Sequence, residues 1–149
     1  MAYHYTDSGL DNIYLENGYT IHKTPYGEGV SIQDTEGLHR AIGKSLISHP
    51  YALNGAEFRF LRMEMELTQK CIADLIGSTE QNVRRWETSR QKDIQGPADR
   101  MLRALFNEYI GGDGSVRRMV DRLAELDMVD RTRICLRETD DGWQDSLAR

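Results

Sequence analysis

Cysteine is scarce in this sequence: the 149 residues include only Cys71 and Cys135. The four histidines are scattered, and none has a histidine or cysteine neighbour at the spacing of a zinc ligand. Because a structural zinc site needs four such ligands, the sequence predicts neither a metal site nor a disulfide framework. No serine, cysteine or histidine constellation of a recognisable catalytic motif is present, so we expect no enzyme and no cofactor.

Long apolar runs are also missing. No segment approaches the roughly 20 apolar residues needed to span a bilayer, and the N-terminus MAYHYTDSGLDN lacks the basic and apolar regions of a signal peptide. We therefore expect a cytoplasmic protein with no membrane partner.

Basic residues are fewer than acidic ones, 19 against 24, which argues against a protein that coats nucleic acid indiscriminately. Residues 55–92 are the exception, with seven basic and six acidic residues.

The patterning of the first 54 residues predicts a small β-β-β-α unit. Residues 13–23 alternate around Asn17-Gly18, a dipeptide that suits a type I′ turn, so we expect a β-hairpin there and a third strand at GVSI. Asp34 should cap a helix. The residues expected on one face of that helix are Leu38, Ala41, Ile42 and Leu46. Pro50 and Asn54-Gly55 then predict a boundary or linker within residues 49–55.

The rest of the chain is expected to be mainly helical, which makes the fold class α+β. Residues 55–112 should form one domain, and residues 113–149 a C-terminal helix and strand that are a candidate dimerisation element. The helical stripes are Phe58, Leu61 and Met65; Met101, Leu102, Leu105, Phe106 and Tyr109; and Val116, Met119, Val120 and Leu123. Pro97 at the first helical position and Gly111-Gly112 should bound the second helix. Ser115 should cap a third helix that ends at Leu126, and residues 131–138 alternate as a strand would.

The stretch TQKCIADLIGSTEQNVRRWE, residues 68–87, has the pattern of two short helices joined by a tight turn. Thr68 is a suitable cap for the first helix, and Gly77 can take the left-handed conformation that ends it. Ser78 or Thr79 should begin the second helix, with Ser78 and Gln81 at the spacing of a capping box. The small Ala73, together with Val83 and Trp86, should face the core.

Residues 57–87 resemble the helix-turn-helix domain of the phage repressor and Cro class, the XRE type, which is also found in bacterial regulators and antitoxins. Ala73, Gly77 and Val83 stand at the fifth, ninth and fifteenth positions counted from Gln69. The resemblance implies that the helix 79–87 enters the major groove of double-stranded DNA. It also implies a transcriptional regulator, a repressor, that binds an inverted repeat as a homodimer.

The resemblance also assigns roles to individual residues. The candidate base contacts are Glu80, Gln81, Asn82, Arg84 and Arg85. The candidate phosphate contacts are Gln69, Thr79, Arg90 and Lys92. Gln81 and Arg85 share a helix face and suit adenine and guanine, so they are the best base-reading candidates. Glu80 could equally act on the helix dipole, and Thr79 and Asn82 could simply begin the helix. Arg62 and Glu87 match a structural ion pair of the phage repressors.

The sequence is also compatible with other functions. The layout is similar in outline to antitoxins that join an N-terminal zinc-binding domain to a repressor-like domain, but the paired cysteines of such a domain are absent. A second hypothesis is therefore an antitoxin or adaptor with a protein partner, a toxin, and a third is an enzyme with an appended DNA-reading domain. The N-terminal unit could instead sense a small molecule or form the dimer interface. The other candidate dimer contacts are the helices 97–110 and 116–126 and the strand around Ile134 and Leu136.

Overall fold

The computed structural model describes residues 2–124 and 134–145. These residues form small antiparallel strand pairs and a set of helices, so the predicted α+β class is confirmed. In chain order the elements are β1 Tyr3–His4, β2 Tyr14–Leu15, β3 Tyr19–Thr24, β4 Gly27–Ile32, α1 Thr35–Ser48, α2 Gly55–Glu64, α3 Gln69–Ile76, α4 Glu80–Thr88, α5 Gly96–Gly111, α6 Ser115–Ala124, β5 Leu136–Thr139 and β6 Gly142–Asp145. In the part of the chain that the structure describes, no helix has the length and apolar character needed to cross a membrane.

The hairpin predicted around Asn17-Gly18 is wrong. β2 pairs with β1 and β3 pairs with β4, so the chain between β2 and β3 joins two different sheets. The turn that closes β3 on β4 is Pro25-Tyr26, because Thr24 lies opposite Gly27. The Thr24 hydroxyl stabilises this turn, since it donates to the Gly27 carbonyl at 2.7 Å and accepts from the Tyr26 N–H at 3.2 Å. The N-terminal unit therefore has four strands before its helix, not three.

Helix α1 begins as predicted, with the Asp34 carboxylate accepting a hydrogen bond from the Gly37 N–H at 3.1 Å. Ile42 and Leu46 are buried, whereas Leu38 is only partly buried. Ala41 is exposed, so its predicted place on the core face is wrong. The buried face of the helix is rotated away from Ala41 because Gly43 lies against the ring of Phe106, a residue of α5.

The segment between α1 and α2 is exposed over residues 49–52, but its end is anchored in the molecule. Leu53 is fully buried, and its N–H donates to the Asp99 carboxylate at 2.8 Å. Asn54 and Glu57 form a capping box that starts α2. The hydrophobic core is continuous across this segment, and it includes Tyr5, Leu10 and Leu15 of the N-terminal unit together with Phe58, Leu61, Met65, Leu102, Leu105 and Phe106 of the helices. The predicted boundary near residue 54 thus lies within one connected core.

The C-terminal helices differ in detail from the prediction. Pro97 is the second residue of α5 rather than its first, because Gly96 begins the helix and Gln95 precedes it as the cap. Tyr109 is 51% exposed, so only part of the predicted stripe is core. Ser115 is the first residue of α6 and not its cap. The predicted apolar side chains of α6 (Val116, Met119, Val120 and Leu123) and its predicted end at Leu126 lie outside the described residues.

The C-terminal strand prediction is correct in part. β5 covers Leu136–Thr139 and pairs with β6 in a hairpin, while residues 131–133 lie outside those described. Asp140 and Asp141 form the two-residue turn, because Thr139 lies opposite Gly142.

Candidate nucleic-acid interface

Helices α3 and α4 form the helix-turn-helix unit with the predicted local geometry. The Thr68 hydroxyl accepts from the Cys71 N–H at 3.0 Å and caps α3. Gly77 ends α3 in the left-handed region at φ 73° and ψ 31°. Thr79, not Ser78, is the cap of α4, since its hydroxyl accepts from the Asn82 N–H at 3.1 Å. The predicted capping box of Ser78 and Gln81 is therefore wrong, because the cap lies one residue later.

One face of α4 is held against the core. Val83 is completely buried and Ala73 of α3 is 1% exposed. Trp86 is partly buried and packs edge-on against Phe58 of α2, with 5.6 Å between the ring centroids. A Cβ on Gly55 would lie 1.9 Å from the Trp86 carbonyl oxygen, so the start of α2 approaches α4 as closely as only glycine allows. The opposite face of α4 must consequently point outward.

The outward face of α4 carries the predicted base-contacting residues. Glu80, Gln81, Arg84 and Arg85 are exposed, and Asn82 is half-buried. Arg84 donates to Glu80 at 3.1 Å, and Arg85 donates from Nη2 to the Asn82 side-chain oxygen at 2.9 Å. Exposed helical pairs of this kind stabilise a protein by only about 0.3–0.5 kcal/mol. An external acceptor can therefore replace them at little cost, and each guanidinium has further N–H donors.

A buried ion pair fixes the end of α4. Arg62 of α2 donates from Nε to Glu87 Oε2 at 2.7 Å and from Nη2 to Glu87 Oε1 at 2.8 Å, so the predicted structural pair is present. Arg62 also donates to the Leu67 carbonyl at 2.8 Å, a contact that the sequence did not reveal. Gln69, a candidate phosphate contact, donates to Glu87 at 3.2 Å. Its amide has a second N–H for another acceptor.

The loop after α4 carries the other candidate phosphate contacts. Arg90 and Lys92 are both exposed, as is Thr79 at the start of α4. The loop is held in place because the Lys92 carbonyl accepts from the Gly55 N–H at 3.1 Å. Arg90 also donates from Nη2 to the Gly9 carbonyl, which lies 81 positions away in the sequence. No sequence pattern could have indicated that contact, since it depends on how the N-terminal unit packs.

The charge of this surface is more basic than that of the whole chain. Residues 68–95, which include the whole loop after α4, contain five basic and four acidic residues. One of the acids, Glu87, is 5% exposed and paired with Arg62 inside the molecule. The remaining surface combines the outward face of α4 with the following loop, and its positive charge suits an anionic partner.

A polar network that sequence analysis missed joins the N-terminal unit to α2. His39 of α1 contacts Glu64 of α2 at 2.6 Å through Nδ1, and Tyr5 at 2.8 Å through Nε2. Burial raises the pKa of the Tyr5 phenol, and the nearby carboxylates of Asp7 and Glu64 add to the effect. The network attaches the N-terminal segment to both helices. Among the described residues there is no cluster of three or more histidine, cysteine, aspartate or glutamate side chains suited to a metal.

Comparisons with models of protein families, with curated proteins and with solved structures found no match to this chain. The geometry of α3, the turn and α4 is therefore what bears on function.

Proposed function

We propose that this protein is a sequence-specific transcriptional regulator of the cytoplasm, a repressor, that binds double-stranded DNA as a homodimer. The observation that carries the proposal is the orientation of α4. Buried Val83 and the Glu87–Arg62 pair fix one side of the helix, while Gln81, Arg84 and Arg85 are exposed on the other. A helix that follows a tight glycine turn and presents exposed polar side chains from its first turns fits the major groove.

Each predicted contact has a defined role in this proposal. Gln81 would bond adenine and Arg85 would bond guanine O6 and N7, each pair contributing about 1–3 kcal/mol of discrimination. On binding, Arg85 would give up its hydrogen bond to the Asn82 side chain and bond the guanine instead. Thr79, Gln69, Arg90 and Lys92 would meet phosphates and set the position of the helix without reading sequence. The repressor would act sterically, by occupying its operator.

Dimerisation is required because one α4 reads only one half-site, and paired half-sites lie about 34–36 Å apart. The β5–β6 hairpin supplies a candidate contact. Leu136 and Trp143 lie on one face of it, because strand residues alternate and Trp143 is opposite Glu138 in the register. These two side chains are 60% and 69% exposed, and Ile134 just before β5 is 79% exposed. Burial of this apolar face between two copies would be favourable.

The experiment that tests the proposal is selection of bound sequences from a random duplex library, followed by affinity measurements at two salt concentrations. We expect a palindromic site whose affinity falls steeply with salt, because phosphate contacts release counterions. The matched control is a variant with Gln81, Arg84 and Arg85 all replaced by Ala, which should keep the parent's circular dichroism spectrum and enrich no sequence.

Failure to enrich any sequence with a folded parent protein would overturn the proposal. The hypothesis of an antitoxin or adaptor would then be favoured, and capture of a toxin encoded beside the gene would test it.

A further inference from the structure

An acidic loop from the N-terminal unit lies against the loop that follows α4. This acidic loop, residues 7–11, connects β1 to β2. The Gly9 carbonyl accepts from Arg90, and the Asp11 carboxylate accepts from the Gln91 side-chain amide at 3.0 Å. Asp7 lines a cavity of about 290 Å³ together with Arg59 and Arg90. Two carboxylates thus lie beside the loop to which we assign phosphate contacts.

The acidic loop is fixed at both ends and is not a movable arm. On one side Tyr5 is 3% exposed and its hydroxyl contacts His39. On the other side Leu10 is 3% exposed and belongs to the hydrophobic core. The Asp11 carbonyl is also bound, at 2.7 Å, by the ring of His4. The segment that carries the two carboxylates is therefore packed in place beside the loop after α4.

The charges of the two acids are not compensated by ion pairs. Both Asp7 and Asp11 are exposed, and neither forms an ion pair with another described residue. The partner of the Asp11 carboxylate, Gln91, is neutral. A phosphate bound by Arg90, whose guanidinium contacts this same loop at Gly9, would lie near this negative charge. Exposed charges interact over a Debye length of about 8–10 Å at ordinary ionic strength. The repulsion would oppose binding.

We propose that Asp11, aided by Asp7, is an affinity-limiting residue that weakens the binding of duplex DNA by repelling the phosphate at the loop after α4. The inference rests on the proposed function and adds a chain-specific element to it. The attraction between Arg90 and a DNA phosphate is partly offset by the negative charge of the loop that Arg90 itself contacts. The phosphate contacts alone consequently hold the protein less firmly on any duplex, and the base contacts of α4 contribute a larger share of the affinity.

The test is Asp11→Asn in the full chain, assayed against the selected site and an unrelated duplex. Asparagine keeps the size of the side chain and an oxygen that can accept from Gln91, so only the charge changes. We expect about two- to fivefold tighter binding of both duplexes at ~50 mM salt, with the gain shrinking at ~300 mM as the repulsion is screened. Asp7→Asn added to it should tighten binding further.

The matched control is Glu28→Gln, which removes one negative charge from the exposed β4 strand of the same unit. It should bind as the parent does, so a gain specific to Asp11→Asn supports a local effect. If the parent binds DNA and Asp11→Asn binds equally or more weakly, this inference is overturned alone. An equal gain from Glu28→Gln would also overturn it, since net charge would explain both. A parent that binds no duplex at either salt concentration overturns the proposed function and the inference together.

Discussion

The Glu87 carboxylate and the Arg62 guanidinium meet through two parallel hydrogen bonds of 2.7 and 2.8 Å. The two side chains are 5% and 11% exposed. Since Gln69 donates to the same carboxylate, one acidic group links α2, α3 and α4. The position of the helix that we propose to read DNA thus depends on a buried carboxylate, which also contacts Gln69, a candidate phosphate contact.

Glu87→Gln should lower the free energy of unfolding by about 3–5 kcal/mol, because it leaves the Arg62 charge buried without its partner. Urea unfolding followed by circular dichroism measures the change. The control is Glu80→Gln, which removes the carboxylate from an exposed pair with Arg84 and should cost about 0.5 kcal/mol or less. Equal losses from the two variants would contradict a structural role for Glu87.

Arg85→Ala and Lys92→Ala should separate base reading from phosphate contact. Loss of Arg85 should relax preference at one position of each half-site by about 1–3 kcal/mol. Loss of Lys92 should weaken all sequences alike and reduce the salt slope by about one unit. Binding to a panel of single-base operator variants at two salt concentrations measures both effects. If Arg85→Ala discriminates bases as the parent does, the assigned face of α4 is wrong.

The helix-turn-helix could be predicted because its determinants are local. Thr68, Gly77 and Thr79 specify the caps and the turn through contacts within a few residues. Val83 follows from the helical period. The sequence left the second cap open between Ser78 and Thr79, because both are good capping residues and only the backbone geometry separates them. Thr79 is the cap in the structure, so only the capping box of Ser78 and Gln81 was wrong.

The N-terminal unit could not be predicted as well, because its pairing depends on distant parts of the chain. Asn17-Gly18 is a favourable turn, and Gly18 does adopt a φ of 80°. Its flanking strands nevertheless pair with other partners, β1 and β4. The contacts of Arg90 with Gly9 and of Gln91 with Asp11 span 81 and 80 positions. Such contacts follow from tertiary packing and leave no periodic signal.

Gly77→Val should destabilise the protein, because Gly77 has a φ of 73° and a side chain is strained in that region. The left-handed conformation costs about 1–2 kcal/mol for an ordinary residue and more for a β-branched one. Thermal unfolding measures the loss. Gly111→Ala is the control, since no atom lies within 4 Å of the added Cβ at the end of α5. A melting temperature of the Gly77 variant that matches the parent's would contradict the turn.

Gly43→Ala should test the packing of the N-terminal unit on the helices. The new Cβ would lie 2.2 Å from Cζ of Phe106, a ring that is 1% exposed and has little room to move. We expect a loss of about 1–3 kcal/mol from overpacking. Phe106→Leu removes the clashing atoms, so the double variant should lose less than the sum of the two single losses, by about 0.5–3 kcal/mol.

Urea unfolding of the parent, the two single variants and the double variant gives the coupling free energy between Gly43 and Phe106. Gly29→Ala serves as the control, because a Cβ there meets no atom within 4 Å and a surface change of this kind should alter stability by about 0.5 kcal/mol or less. Additive losses from Gly43→Ala and Phe106→Leu would contradict direct contact between α1 and α5. Coupled losses would show that α1, whose His39 contacts Tyr5 just before the acidic loop, packs directly on α5.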